Sequence, residues 1–126
     1  MATGRLRLAG LHREVRAYAE YALSIADYYG VDVEVTSGLR SWENQQRLYD
    51  NYRACVRAGR FPSAPDCKYP AAPPGGSSHN YGLSWDSWVR APLMDWWVAV
   101  RRWVGFEVPA NDLIHAQVPS WRQYVP

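Results

Sequence analysis

Histidine is scarce in this chain, at three residues in 126, and cysteine is scarcer, with only Cys55 and Cys67. Neither cysteine has another Cys or His at short chelating spacing, so neither is expected to bind a metal. The pair, twelve positions apart, is either a disulfide across the intervening loop or two buried thiols. No apolar run approaches the length of a membrane span, and Met1-Ala2-Thr3-Gly4-Arg5 opens no segment of signal-peptide kind. Internal repeats and low-complexity tracts are absent too. Strong charge of either sign is also missing: the net charge of +2 gives no sign of a nucleic-acid groove, though it favours approach to an anionic surface.

What is present suits a globular protein. Apolar residues make up 48% and charged residues 21%, which excludes disorder, and the length predicts a single domain over residues 1–126. Seven Trp and nine Tyr are a heavy aromatic load. Most are expected in the core, with a few left to line a groove for a peptide or glycan.

Residues 6–29 carry Leu8, Leu11, Val15, Tyr18, Ala22, Ile25 and Tyr29 at alternating threes and fours, which predicts one amphipathic helix stopped by Gly30. His12 lies beside that stripe near Arg13 and Arg16 and reads as a surface histidine. Val31, Val33 and Val35 alternate with polar residues as in a half-buried strand. Ser41 can cap a helix over residues 42–58 with Gly59 as its stop, leaving Arg40 at the strand–helix junction, where it can reach into a cleft. Prolines and the Gly75-Gly76 pair rule out regular structure over residues 60–78, a loop long enough to form the rim of a binding site. Residues 83–89 predict a second strand with Ser84, Asp86 and Trp88 on one face and Trp85 in the core. A helix from Pro92 through Val104 follows, stopped by Gly105, and then two short strands at 106–108 and 113–118. The order predicts an α+β fold: about three helices on a small, mainly antiparallel sheet.

Two of the three histidines sit near carboxylates, in Ser78-His79-Asn80-Tyr81-Gly82-Leu83-Ser84-Trp85-Asp86 and in Asp112-Leu113-Ile114-His115. Gly82 lets the chain turn so that His79 and Asp86 can face one point. Residue chemistry leaves two readings open. The histidines are satisfied polar residues of strands, or His79, Asp86 and His115 are three ligands of a hydrolytic zinc, with the fourth position open to water and Asp112 free to move protons.

The spacing His79-x-x-Gly82-x-Ser84-x-Asp86, with a carboxylate three residues before His115, resembles a family of bacterial and phage zinc enzymes. These are the D,D-carboxypeptidases and L-alanyl-D-glutamate endopeptidases of peptidase family M15. Ser37-Gly38-Leu39-Arg40-Ser41, with Gln46 and Leu48-Tyr49 after it, resembles that family's arginine-bearing motif. The resemblance spans about residues 35–118. It implies one zinc ion on His79, Asp86 and His115, Asp112 as catalytic acid/base, and Arg40 on substrate. It also implies a fold of Hedgehog/D-Ala-D-Ala-peptidase type with the metal on the sheet. Two departures stand out: Ser84 occupies a position where the family usually has alanine, and Asp112 one where its carboxypeptidases usually have glutamate. The aspartate looks more like the phage endopeptidase branch.

The activity expected is hydrolysis of peptidoglycan stem peptides at the L-Ala–D-Glu bond. Alternatives are a D-Ala-D-Ala carboxypeptidase or dipeptidase, and a non-catalytic zinc-stabilised module that binds cell-wall peptide. Arg40 would present its fork of donors to the scissile carbonyl or a substrate carboxylate. Ser78, Tyr81 and Trp88 are candidate substrate contacts, and Gln46 a support for Arg40 or a ligand. Without a signal segment, the expected route is synthesis in the cytoplasm and delivery to the wall by phage lysis or in a virion, with no nucleic acid and no membrane span involved.

Overall fold

The computed structural model describes residues 1–126. Its centre is a three-stranded antiparallel sheet in the order β1 (Glu34–Ser37), β2 (Ser84–Trp88), β3 (His115–Gln117). The helices are α1 (Arg13–Tyr28), α2 (Trp42–Arg57) and α3 (Met94–Val104). No helix is long and apolar enough to cross a membrane.

α1 and α3 pack on one another and close the core. From α1 come Val15, Ala19, Ala22, Leu23 and Ala26, and the three alanines allow close approach. Val33, Val35, Trp85 and Ala116 face them from in and around the sheet, and Trp97, Val98 and Val100 from α3. Trp85 meets Trp97 and Phe106 edge-on, at ring-centroid distances of 6.1 and 5.7 Å, a geometry that aromatic quadrupoles favour. α2 stands apart: its buried residues are Gln45 and Cys55, so it serves a cleft more than the core.

Several expectations need correction. The single helix over 6–29 is two: a 3-10 turn at Arg5–Gly10, then α1. Between them Leu11 is extended, the His12 N–H donates to the Gly82 carbonyl at 3.0 Å, and the His12 ring accepts from the Glu14 N–H. His12 is exposed, as expected, and is the N-cap of α1. The stripe shifts accordingly, leaving Tyr18 and Tyr29 exposed. Residues 106–108 form no strand, only a bridge between Glu107 and Gln117. The aromatics do not mainly fill the core: of the Trp and Tyr residues only Trp85, Trp97 and Trp121 are buried.

The first strand begins at Glu34 and not at Val31, and Pro92 lies in a 3-10 turn over Ala91–Leu93 ahead of α3, while the ends of α2 fall where capping chemistry put them. Ser41 accepts from the Asn44 N–H at 3.1 Å, and Gly59 follows α2 at a positive φ of 68°. The proline-rich stretch has no regular structure until a 3-10 turn at Ser78–Tyr81. The cysteines form a disulfide that ties this stretch to α2, assisted by a hydrogen bond from Asn51 to the Asp66 carbonyl at 3.1 Å.

Ser84 is fully buried on β2, and its hydroxyl finds no partner. An unpaired buried hydroxyl costs about 1–3 kcal/mol relative to an apolar group of the same shape. Ser84→Ala is therefore expected to raise stability by about 1 kcal/mol in urea unfolding. A loss of that size would show that the hydroxyl is paired in solution.

Candidate metal centre

The antiparallel register sets Asp86 directly opposite His115 on β3 and, across a bulge in β1, opposite Ser37. His79 arrives from the 3-10 turn that enters β2, ahead of the strand. Gly82 makes that entry possible. Its φ is 69°, and a β-carbon there would come within 2.9 Å of the His12 nitrogen. Asn80 ties the turn down, donating to the Arg40 carbonyl at 3.0 Å and accepting from the Gly75 N–H at 3.1 Å. The Arg40 N–H in turn donates to the His79 carbonyl at 2.9 Å.

His79 Nε2 lies 3.2 Å and His115 Nδ1 3.1 Å from the same oxygen, Asp86 Oδ1, and one donor atom from each residue falls within 4.8 Å of the others. The remaining ring nitrogens settle the tautomers. His79 Nδ1 donates to the Gly38 carbonyl at 2.8 Å, and His115 Nε2 to Gln117 Oε1 at 2.8 Å, whose amide group donates to Glu107. In the neutral imidazoles, both remaining lone pairs then point at a carboxylate oxygen. Three lone pairs converging on one point repel unless a proton or a metal cation sits among them. Two neutral imidazoles and a carboxylate, with both outer nitrogens anchored, are a donor set that fits zinc.

The ionisation of the site follows from the same geometry. Burial alone would raise Asp86, but hydrogen bonds from His115 and His79 and their charges hold it well below the usual carboxylate range. Burial would lower His115, yet its hydrogen bonds to Asp86 and Gln117 and the nearby Asp86 and Asp112 charges raise it. Desolvation at the cleft rim, reinforced by the charge of Asp86, raises Asp112.

A cleft of about 600 Å³ opens over these residues, lined by Arg40, Gln45, Ser78, Asp112 and the donor triad. Arg40 is mostly buried, with one guanidinium nitrogen 4.0 Å from Asp86 Oδ2 and another donating to Gln45 Oε1 at 3.0 Å. The far wall is the disulfide-tied loop with Lys68 and Tyr69.

Of the candidate substrate contacts, Ser78 lines the cleft and is buried. Tyr81 does not line it. Its hydroxyl donates to the Gly75 carbonyl at 2.9 Å, and its ring is wedged between Trp42 and Trp121. Trp88 lies outside the cleft, half exposed and paired with Glu34 at the end of β2. Gln46 is exposed and bonds Asp50, whereas its neighbour Gln45 supports Arg40 and also donates to the Ala72 carbonyl at 2.8 Å. Gln45, Asn80 and the Gln117–Glu107 pair were missed, because nothing in their spacing marks them as supports.

Residues 9–100 match the family profile described as VanY, D-alanyl-D-alanine carboxypeptidase. The chain belongs to that family. Its members are zinc metallopeptidases of peptidoglycan peptides. The match includes Arg40, His79 and Asp86 but stops before Asp112 and His115, which the sheet brings to the same place. No curated protein matches the chain.

Among solved structures, a mutant of the VanY D,D-pentapeptidase from a VanB-type resistance cassette, in complex with Zn(II), superposes with a TM-score of 0.66 at 24% identity, over 86% of this chain and 72% of that one. VanYB in complex with D-alanine-D-alanine gives 0.67 at 22% identity, over 91% and 78%. The L-Ala D-Glu endopeptidase ChiX of Serratia marcescens gives 0.54 at 23% identity, over 98% and 93%. The VanY-type α+β fold expected from the sequence is thus present, and its His-Asp-His group could hold one metal ion.

The pH dependence of the metal-free protein follows in sign. His115, raised above 6.5, stabilises the fold fully below that pH and loses its contribution as pH rises through its folded-state value. Asp86, lowered from 3.8, contributes fully above that pH and loses its contribution on acidification. The metal-free protein is therefore expected to gain most from His115 and Asp86 between pH 3.8 and 6.5. Zinc affinity, which needs neutral His115, should rise with pH until that proton is gone. Melting curves with and without chelator across pH check both trends. Zinc affinity independent of pH between 5 and 8 would contradict the proton competition.

Proposed function

We propose that this chain is a zinc endopeptidase that cleaves the L-alanyl–D-glutamate bond of peptidoglycan stem peptides. In this reading His79, Asp86 and His115 hold the metal, Asp112 is the acid/base, and Arg40 is the substrate-facing cation. The observation that carries it is the convergence of two anchored imidazole lone pairs on Asp86 Oδ1, in a cleft that also holds Asp112 and Arg40.

Bound zinc would acidify a water to a pKa of about 7 and polarise the scissile carbonyl. The remaining work falls to the chain. Asp112, its proton affinity raised by desolvation, takes the proton of the attacking water and delivers it to the departing amine. Arg40, held by Gln45, presents a fixed cation to the carbonyl oxygen as negative charge grows there. Ser78, which lines the cleft, would hydrogen-bond the peptide backbone in this reading.

Aspartate at position 112, in place of the glutamate usual in the carboxypeptidases, supports the endopeptidase. So does the likeness to ChiX over nearly the full length of both chains. The family profile and the VanYB complex favour a second reading, a D-Ala-D-Ala carboxypeptidase. The Cys55–Cys67 disulfide suits an oxidising setting outside the cytoplasm, in keeping with action at the wall after phage lysis or delivery in a virion.

Digestion of purified peptidoglycan, with mass spectrometry of the fragments, separates the readings. New N-terminal D-Glu identifies the endopeptidase, and released D-Ala the carboxypeptidase; both should vanish with a chelator. No product from zinc-loaded protein on several wall types would leave a binding module. Asp112→Ala is expected to keep zinc and lose about 10²–10⁴-fold in kcat, whereas His115→Ala should lose both. Near-normal turnover of Asp112→Ala would remove the acid/base assignment.

A further inference from the structure

Arg101 on α3 is fully buried, yet no carboxylate lies within salt-bridge distance of it. A buried cation without a counter-ion is costly, and an apolar side chain of similar size would ordinarily fill the same space at least as well. Its guanidinium is solvated by the chain itself. Nε donates to the Trp97 carbonyl at 3.2 Å, Nη1 to the Ile114 carbonyl at 3.1 Å, and Nη2 to the Leu113 carbonyl. The Trp97 ring lies 5.3 Å from the guanidinium carbon. Burial lowers its pKa to about 10, so the group remains a cation at neutral pH.

Leu113 and Ile114 are the two residues between Asp112 and His115. We propose that Arg101 is a positioning residue whose planar fork clamps these successive carbonyls, fixing Asp112 and His115 relative to Asp86. The inference rests on the roles proposed above for Asp112 and His115.

The surroundings of the segment explain why it needs such a clamp. None of residues 110–114 is buried, and Leu113 and Ile114 are each about a third exposed, at 36% and 37%, so apolar packing holds the segment only in part. From beneath, the Ile114 carbonyl also accepts the Ser87 N–H at 3.0 Å, and Ser87 Oγ accepts from Trp97 Nε1 at 2.8 Å. The His115 N–H closes a turn onto the Asp112 carbonyl at 3.1 Å. Arg101 thus joins α3 to the two backbone units that separate the proposed base from the proposed ligand. A lysine would supply the charge without the rigid fork.

Arg101→Lys and Arg101→Met test this beside the wild type, with three measurements. These are zinc affinity by competition with a chromogenic chelator, kcat and KM on a stem peptide, and the unfolding midpoint. A misplaced outer support costs about 10–100-fold in metal affinity or activity. Both variants are expected to fold, to keep KM, and to lose about tenfold or more in zinc affinity and in kcat, with lysine no better than methionine.

Zinc affinity and kcat within twofold of wild type in a folded Arg101→Met would overturn the proposal. So would full rescue by lysine, which would make the charge and not the fork responsible. Failure of both variants to fold in saturating zinc would overturn it in favour of a purely structural role. A wild-type protein that binds no zinc would instead sink the proposed function, and this inference with it. One that binds zinc but cleaves no available peptide leaves zinc affinity to decide.

Discussion

Two imidazoles aim their free nitrogens at one carboxylate oxygen, and the local structure around Asp86 follows from that demand. Each ring must keep its proton on the outer nitrogen, so each needs an acceptor behind it: the Gly38 carbonyl for His79 and Gln117 for His115. The first acceptor requires the end of β1 to lie against the turn that carries His79. The second requires β3 to place Gln117 two residues beyond His115 on the same face, with Glu107 bridged alongside. With both imidazoles neutral, the arrangement leaves three lone pairs facing one another, which a proton or a metal ion relieves.

The molecule divides its labour between two kinds of structure. The sheet with α1 and α3 is apolar and tightly interlocked, and it fixes Asp86 and His115 through strand register. α2 and the proline-rich stretch contribute little to that core. They are held by a disulfide, by the N-cap at Ser41 and by side-chain amides reaching backbone carbonyls. The donor triad belongs to the first part, with His79 at its edge, while Arg40 sits at the seam between them. Family membership accords with this division: residues 9–100 span the seam, whereas the last strand is joined to the site through the sheet.

Much of this was legible in the sequence. Chelating side chains with a glycine at a forced turn are local signals, and a strand's two-residue period put Asp86 and Trp85 on opposite faces. Caps at Ser41, Gly59 and Gly105 were legible for the same reason. What escaped depends on contacts distant in sequence. The break before α1 exists because Gly82, seventy residues on, offers a carbonyl to His12. Gln45 was passed over for Gln46 because the phase of α2 was unknown. Gln46 lies nine residues, or about two and a half turns, from Cys55, on the side opposite the disulfide. Trp88 was placed in the cleft by face alone, whereas it pairs with Glu34 on the far side of the register shift in β1 and does not line the cleft. A buried arginine that pairs with carbonyls leaves no pattern of charges to read.

Gln45 holds two things with one amide: its oxygen takes the Arg40 guanidinium, and its nitrogen holds the Ala72 carbonyl in the far wall. The spacing of that wall and the location of the Arg40 cation are therefore linked through one side chain. A ligand thick enough to push the wall outward at Ala72 pulls on the arm that presents the cation. A slender extended peptide leaves both undisturbed.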